Sequence, residues 1–127
     1  MAHRFQKHYT RDEANALLPQ IRHWLAEING LREELARCEV RLEGLRVDGQ
    51  DLGGETANRQ ARLFAEVRQV LQEFQSREIQ IKDFDRGFLD FPAIISGREV
   101  FLCWEKDEET VDHWHDLDTG YAGRERL

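Results

Sequence analysis

The stretch FLDFPAIISGREVFLCW, residues 88–104, decides the fold of this chain because it lies in a C-terminal third of strand character that follows two thirds of helical character. Two largely apolar runs, residues 88–95 and 98–105, lie on either side of Ser96-Gly97. A two-residue turn of this composition between apolar runs is typical of a β-hairpin. Pro92 has no amide hydrogen to donate to a sheet, so it predicts that its strand is an edge strand or carries a bulge.

Shorter strands are predicted on both sides of this hairpin. Residues 79–82 (Ile-Gln-Ile-Lys) alternate apolar and polar side chains with the period of two that a strand requires. The polar residues 106–109 predict another turn, and residues 110–115 then predict a last strand. Residues 116–127 contain two glycines and are expected to form an ordered loop. Together these elements predict a small antiparallel meander.

A long helix is predicted upstream, from Thr10 onwards. Thr10 and Glu13 have the spacing of a capping box, in which each side chain accepts the backbone amide hydrogen of the other residue. Pro19 lies too deep to be a first-turn proline, so it predicts a kink. The helix is expected to run for about 35 residues because an apolar stripe alternates spacings of three and four over about four heptads. The stripe consists of Ala14, Leu17, Ile21, Trp24, Ile28, Leu31, Leu35, Cys38, Leu42 and Leu45, and Leu18 and Leu25 widen it near its start.

A second helix, residues 56–77, is predicted after a glycine-containing loop near residues 47–55 that is a candidate for local disorder. Two such helices form an antiparallel hairpin, and their unequal lengths leave roughly 20 Å of the first helix uncovered. We infer that the C-terminal segment or a second subunit packs on this open end, which carries Leu17, Leu18, Trp24 and Leu25. The inward-facing residues of the second helix are expected to be Ala57, Ala61, Phe64, Val67, Leu71 and Phe74, flanked by Leu63 and Val70.

Composition narrows the classes of function. The chain has 127 residues, of which 40% are hydrophobic and 34% charged, as expected of one soluble domain. Residues 1–78 carry a net charge of −1 and residues 79–127 a net charge of −6, which disfavours nucleic acid as a partner. No apolar run has the length of a membrane span and no secretory signal precedes the helices, so we expect a cytoplasmic protein without a membrane partner. Cys38 and Cys103 form no CxxC pair and are expected to be buried as small apolar side chains.

Two histidines on the last predicted strand are candidate metal ligands. His113 and His115 are two positions apart, so their side chains project from one face about 7 Å from each other. Such a pair can share a zinc ion, with Asp116, Asp118 or Asp90 as a third ligand. The alternative is that one histidine is partly buried and bonded to the backbone while the other is exposed.

Other residues of the C-terminal third are also candidates for a polar site. Asp90 lies within an aromatic strand and should need an ionic partner such as Arg86, Arg98 or Arg124. Cys103 lacks the surroundings that would lower the pKa of its thiol, so a role as nucleophile is not expected. Arg124 can bind a carboxylate or a phosphate through two parallel hydrogen bonds, and Trp104 is expected to be a core anchor.

As a set, several segments resemble the domain of unknown function 2203 family of uncharacterised prokaryotic proteins. This family has Phe where the chain has Tyr9, and Gln-Pro where the chain has Glu125-Arg126. The resemblance implies no activity, but its motif positions include Asp90 and His115 and not His113, which favours a polar network around His115. Trp104 and Arg124 are motif positions as well. The segments are YTRDEANALLP (residues 9–19), GFLDFPA (87–93), GREVFLCW (97–104), WH (114–115) and GYAGR (120–124).

The sequence thus predicts a single α+β domain over residues 1–127. A coiled-coil-like antiparallel helical hairpin occupies residues 10–77, and a small antiparallel β-meander with a C-terminal loop, residues 79–127, packs on the open end of the first helix. We expect a non-enzymatic interaction or scaffold module that needs no cofactor and forms a homodimer through the hairpin or its open end. The alternative function is a small-molecule or metal site, which could be hydrolytic, around His115, Asp90, Asp118 and Arg124. Trp104 joins these four residues in the predicted pocket or polar network.

Overall fold

The computed structural model describes residues 2–47 and 54–127 and confirms the α+β class. Within this part of the chain, two helices precede five antiparallel strands, which follow one another in the sheet in chain order. Neither helix has an apolar stretch long enough to cross a bilayer. The elements are α1 (Arg11–Val47), α2 (Gly54–Gln75), β1 (Gln80–Asp83), β2 (Phe88–Ile95), β3 (Arg98–Trp104), β4 (His113–Asp116) and β5 (Glu125–Arg126), with a short 3-10 helix at Tyr121–Gly123.

The described residues group into two compact units. The sheet unit contains the chain up to Leu25 together with Glu73–Leu127, and the hairpin unit contains Ala26–Gln72. The sheet unit thus includes the first turns of α1, as expected for a sheet that packs on the open end of that helix. The prediction of a single domain stays a prediction.

Helix α1 follows the sequence prediction closely over its 37 residues. The capping box is formed, since the Thr10 amide donates to Glu13 Oε1 over 2.9 Å and the Glu13 amide donates to Thr10 Oγ1 over 3.1 Å. The helix continues through Pro19, and the predicted kink there stays a prediction. Every residue of the predicted stripe is buried or half-buried, and Leu18 and Leu25 are buried too.

Helix α2 begins and ends two residues earlier than predicted, and its buried face is rotated from the predicted one. Of the loop predicted near residues 47–55, positions 48–53 lie outside the described residues, whereas positions 47, 54 and 55 are helical. Ala57, Ala61 and Phe64 are exposed, so their predicted inward orientation is wrong. The face of α2 that is buried or half-buried begins with the polar residues Thr56 and Gln60, so apolar periodicity does not identify this covered row. This row continues through Leu63, Val67, Val70 and Phe74.

The central hairpin has the predicted two-residue turn. Ser96 and Gly97 have φ values of 51° and 76°, the left-handed conformation that type I′ turns require at both central positions. Strand β2 has the predicted bounds, and β3 ends one residue before the predicted end. The turn sets a continuous register from the pair Ile95 and Arg98 to the pair Leu89 and Trp104.

Pro92 lies in an internal strand, so the prediction that β2 is an edge strand is wrong for the strand as a whole. Locally the reasoning holds, because β1 pairs with β2 only as far as Asp90. Beyond that point the Pro92 carbonyl accepts a hydrogen bond of 2.7 Å from the Tyr9 amide, and no strand needs the missing amide hydrogen of Pro92. The irregular pairing occurs instead in β1, between Ile81 and Asp83.

The C-terminal tail contains regular structure that the sequence did not predict. Strand β4 begins at His113, three residues later than predicted, and ends at Asp116. Glu125 and Arg126 then form β5 beside it, so the prediction of a loop without elements is wrong. Two residues are too few to show a strand periodicity, and Gly120 and Gly123 made the segment look irregular.

The sheet has an apolar face and a more polar face. Leu89, Phe91, Val100, Leu102 and Trp104 alternate along β2 and β3 and are all buried. The first turns of α1 meet this side, where Arg22 lies over the Trp104 ring and Tyr9 packs edge-on against Phe91. Chain segments near both ends cover the opposite face, since Phe5 packs on Phe101 and Tyr121 packs on Phe88. The candidate site lies on this second face.

Candidate functional site

The strand register brings three chemically active side chains together on the second face of the sheet. Asp90 on β2 and Cys103 on β3 are direct cross-strand partners. His113 on β4 is the partner of Cys103 on the other side, and His115 lies two residues further along the same face. The potential ligand atoms of Asp90, Cys103 and His115 lie within 4.8 Å of one another. These three residues are called the Asp–Cys–His cluster below.

Both ring nitrogens of His115 are engaged. Nδ1 lies 2.7 Å from the Asp116 carbonyl oxygen, and Nε2 lies 2.9 Å from Asp90 Oδ1. A carbonyl oxygen only accepts hydrogen bonds, so Nδ1 must carry a hydrogen. Nε2 and the Asp90 carboxyl group then share one further proton, either as imidazolium with carboxylate or as neutral imidazole with carboxylic acid. Both arrangements have zero net charge, which suits a pair in which each side chain is only 1% exposed.

Burial dominates the electrostatics of the cluster. Burial raises the pKa of Asp90 above its usual value, while the hydrogen bond to His115 works against that rise. Burial also raises the pKa of the Cys103 thiol to about 12, although the charge of Arg124 opposes the change. At neutral pH Cys103 is therefore a protonated thiol, which is a poor nucleophile.

A second polar group, centred on Glu108, lies next to the cluster. The Glu108 carboxylate accepts hydrogen bonds of 2.9 and 3.0 Å from Arg124, and its backbone carbonyl accepts one of 2.9 Å from Trp104 Nε1. Its Oε2 also lies 3.3 Å from His113 Nδ1. Arg124 Nε is buried and has no hydrogen-bond partner among the described residues.

The predicted site residues separate into those that meet and those that do not. Asp90 and His115 form the pair described above, and Arg124 and Trp104 join through Glu108. Asp118 lies elsewhere, with a side chain 86% exposed and 3.3 Å from Arg4. His113 shares the sheet face of His115, as predicted, but it belongs to neither group of three or more potential metal ligands in the described part of the chain. A metal shared by the two histidines stays a prediction.

The ionic partner of Asp90 is a histidine and not one of the three arginines named from the sequence. Arg86 pairs with Glu105, Arg98 with Asp116, and Arg124 with Glu108. The arginines lie in turns and at strand ends. His115 lies on β4, which is separated from β2 by β3, and its side chain is on the same face of the sheet as Asp90. Which residue faces Asp90 depends on the register of β4, and that register has no local sequence marker.

Two features of the site were missed. Cys103 was expected to be only a buried apolar residue. The Ser96-Gly97 turn pairs Ile95 with Arg98, and the register that follows from this pair places Cys103 opposite Asp90. The second group of potential ligands is His3, His8 and Glu99. No sequence spacing marks this group, because the N-terminal segment and β3 meet only in the folded chain.

Glu99 holds the N-terminal segment on the sheet. Its carboxylate accepts hydrogen bonds from the Arg4 amide over 2.7 Å and from the Phe5 amide over 3.0 Å. His8 Nε2 lies 2.7 Å from Glu99 Oε2. Burial opposes a downward shift, but these hydrogen bonds outweigh it and lower the pKa of Glu99 to about 2.

The fold and the site define a class of α+β protein in which one face of an antiparallel sheet encloses a buried Asp–Cys–His cluster. A family model described as uncharacterized conserved protein (DUF2203) matches residues 7–127, nearly the whole chain. The chain belongs to this family, and the resemblance found in its sequence motifs is confirmed. No curated protein and no solved structure shows a significant match to the chain.

Proposed function

We propose that this protein is a non-enzymatic interaction module that self-associates through its hairpin unit. The observation that carries the proposal is an exposed apolar row on α2. Ala57, Ala61 and Phe64 follow one another at spacings of four and three, so they share one helix face, and 52% of Phe64 is exposed. An exposed aromatic residue in such a row is typical of a surface that another protein covers.

The packing within the hairpin unit supports the same proposal. Ile28 and Cys38 of this unit are buried, but other stripe residues are only half-buried, although their spacing is that of a coiled-coil core. In a two-helix hairpin each helix covers only one side of the other, so apolar residues at the margin stay partly exposed. Helical bundles bury such residues by packing further helices against them. The half-buried residues are Leu31, Leu35, Leu42 and Leu45 on α1 and Val67 on α2.

A second copy of the chain is the partner that fits best. Residues 26–72 contain seven Lys or Arg and nine Asp or Glu, so neither sign dominates and a copy of the same surface meets little repulsion. Antiparallel pairing of two hairpins about a twofold axis gives a four-helix arrangement and buries the same residues from each copy. A cytoplasmic location fits the proposal as well, because both cysteines are free.

The state of the Asp–Cys–His cluster argues against a catalytic centre there. Asp90 and His115 are sealed from solvent, both His115 nitrogens are occupied, and the Cys103 thiol stays protonated at neutral pH. A general base or nucleophile must reach a substrate, and these groups contact one another and the Asp116 carbonyl instead. The polar network therefore stabilises the sheet in this proposal.

Sedimentation velocity over a range of micromolar concentrations tests the proposal. The wild-type protein should sediment as a dimer, and Phe64→Glu should sediment as a monomer with an unchanged far-ultraviolet circular dichroism spectrum. Ile94→Glu is the matched control, because Ile94 is an exposed apolar residue on the sheet unit. His115→Ala should also remain a dimer. A wild-type monomer throughout this range, or a dimer that tolerates Phe64→Glu, would contradict the proposal.

A further inference from the structure

We infer that Asp90, Cys103 and His115 form a binding site for one divalent transition-metal ion with the ligand preferences of zinc. The inference rests on the cluster alone and not on self-association. It differs from the histidine pair expected from the sequence, because Cys103 takes the place of His113. Carboxylate, thiolate and imidazole are all zinc ligands, and three protein ligands leave a fourth position for a water molecule.

The spacing of the donor atoms fits an ion after a small adjustment. Ligand atoms about 2.0–2.3 Å from a tetrahedral zinc ion are roughly 3.3–3.6 Å from one another. Asp90 Oδ1 and His115 Nε2 are 2.9 Å apart, and all three donors lie within 4.8 Å of one another. An increase of a few tenths of an ångström between Asp90 and His115 therefore gives a tetrahedral edge. Cys103 Sγ, which lies within 4.8 Å of the other two ligand atoms, would take the third corner at about 3.6 Å from each.

The orientation of His115 is the one that metal ligands have. Histidines that bind metals donate their other ring hydrogen to a carboxylate, a carbonyl or water, which fixes the ring and its tautomer. Here Nδ1–H donates to the Asp116 carbonyl over 2.7 Å. Once the proton shared with Asp90 has left, the lone pair of Nε2 points towards the Asp90 carboxylate, and the Cys103 sulfur lies within 4.8 Å.

The charges also balance. An Asp90 carboxylate and a Cys103 thiolate together neutralise a divalent ion, so the occupied site adds no net charge to a buried region. Arg124 supports the thiolate, since its Nε is buried without an acceptor among the described residues and its charge acts directly on Cys103. Uptake of one ion at neutral pH displaces the thiol proton and the proton that Asp90 and His115 share. Two protons should therefore be released for each ion bound.

The other ligand group, His3, His8 and Glu99, is the competing candidate. Its histidines are more accessible, but both Glu99 oxygens already accept backbone hydrogen bonds from Arg4 and Phe5. An ion there would have to compete with the contacts that hold the N-terminal segment. This group has no thiol, and that difference separates the two sites spectroscopically.

Cobalt titration of untagged, chelator-treated protein is the decisive experiment, with Cys38→Ser as the principal variant. The chain has two cysteines, so in this variant Cys103 is the only thiol. We expect one equivalent of cobalt, a thiolate-to-cobalt charge-transfer band in the near ultraviolet, and displacement of cobalt by zinc. Calorimetric titration with zinc in buffers of different ionisation enthalpy should give two protons released per ion.

Two further variants assign the ion. Cys103→Ser should lose the charge-transfer band and most of the affinity, whereas His8→Gln should keep both. Failure of Cys103→Ser to fold leaves the test intact, because the band in Cys38→Ser can arise only from Cys103. Binding without a thiolate band, binding that is lost in His8→Gln, or no binding at micromolar cobalt or zinc would each overturn the inference.

Discussion

Removal of the Asp90 carboxylate should destabilise the metal-free protein far more when the replacement cannot form a hydrogen bond. Asp90→Ala leaves His115 Nε2 without the partner that lies 2.9 Å away, in a site where both side chains are 1% exposed. An unsatisfied buried polar group costs about 1–3 kcal/mol, and breaking a buried ion pair costs about 3–5 kcal/mol. We therefore expect the free energy of unfolding to fall by about 3 kcal/mol.

Asp90→Asn should be much milder because the Asn side chain can donate to His115. The Nδ1–H tautomer of His115, set by the Asp116 carbonyl, presents Nε2 as an acceptor. The amide group of Asn supplies the required hydrogen, so we expect a loss of about 1 kcal/mol or less. Both variants remove the carboxylate, and only one leaves Nε2 unpaired. The comparison thus isolates the hydrogen bond.

Urea and thermal unfolding in chelator at pH 7, followed by tryptophan fluorescence, measure these differences. For a chain of this size, 1 kcal/mol shifts Tm by roughly 3–5 °C, so Asp90→Ala should lower Tm by about 10 °C. Asp118→Ala is the control, because this exposed carboxylate should change stability by less than about 0.5 kcal/mol. Equal stabilities of Asp90→Ala and Asp90→Asn would refute the assignment of His115 as a hydrogen-bond partner of Asp90.

Three further perturbations test local features of the fold. Thr10→Ala should lower the free energy of unfolding by about 1 kcal/mol. A double-mutant cycle with Glu13→Ala should show coupling, because each side chain accepts the other residue's amide hydrogen. Strictly additive effects in urea unfolding would contradict this. Gly97→Ala should lower the free energy of unfolding by about 1–2 kcal/mol, because its φ of 76° is strained for any residue with a Cβ. Gly87→Ala should cost more, since its φ is 64° and a Cβ there would also lie 2.7 Å from a neighbouring side-chain carbon. The reverse order of the two variants in thermal unfolding would refute the argument. The pKa of Glu99 is lowered to about 2 from 4.5, so its contribution to folding stability is present above pH 4.5 and is lost as the pH falls towards 2. The difference in Tm between wild type and Glu99→Gln should therefore be largest near neutral pH and should narrow on acidification. A difference that stays constant with pH would contradict this assignment.

Local periodicity was sufficient for the parts of the fold that depend on neighbouring residues. The α1 stripe, the Thr10 cap and the Ser96-Gly97 turn were all predicted because each depends on residues at most a few positions apart. The buried face of α2 was predicted wrongly, because Thr56 and Gln60 occupy two positions of the covered row and a more apolar row lies beside them. Apolar periodicity identifies the buried face only when the buried face is the most apolar one.

The candidate site divides in the same way. Asp90 and His115 were singled out from composition, but their direct pairing depends on the position of β4, which is fixed by contacts with β3. The pairing of Asp90 with Cys103 was within reach, since the turn type fixes the hairpin register. Glu108 belongs to a polar turn, and nothing in its local sequence indicates that Arg124 bonds to it.

The two ends of the sheet have a consequence for the solution behaviour of the protein. The outermost strands, β1 and β5, have only four and two residues, and β1 is irregular at Lys82 while β5 consists of Glu125 and Arg126. Short, charged or bulged outer strands are poor templates for intermolecular strand addition. The sheet is thereby protected against polymerising edge to edge, even though its central hairpin is strongly apolar. Strand addition at these edges is therefore a poor route to fibril growth.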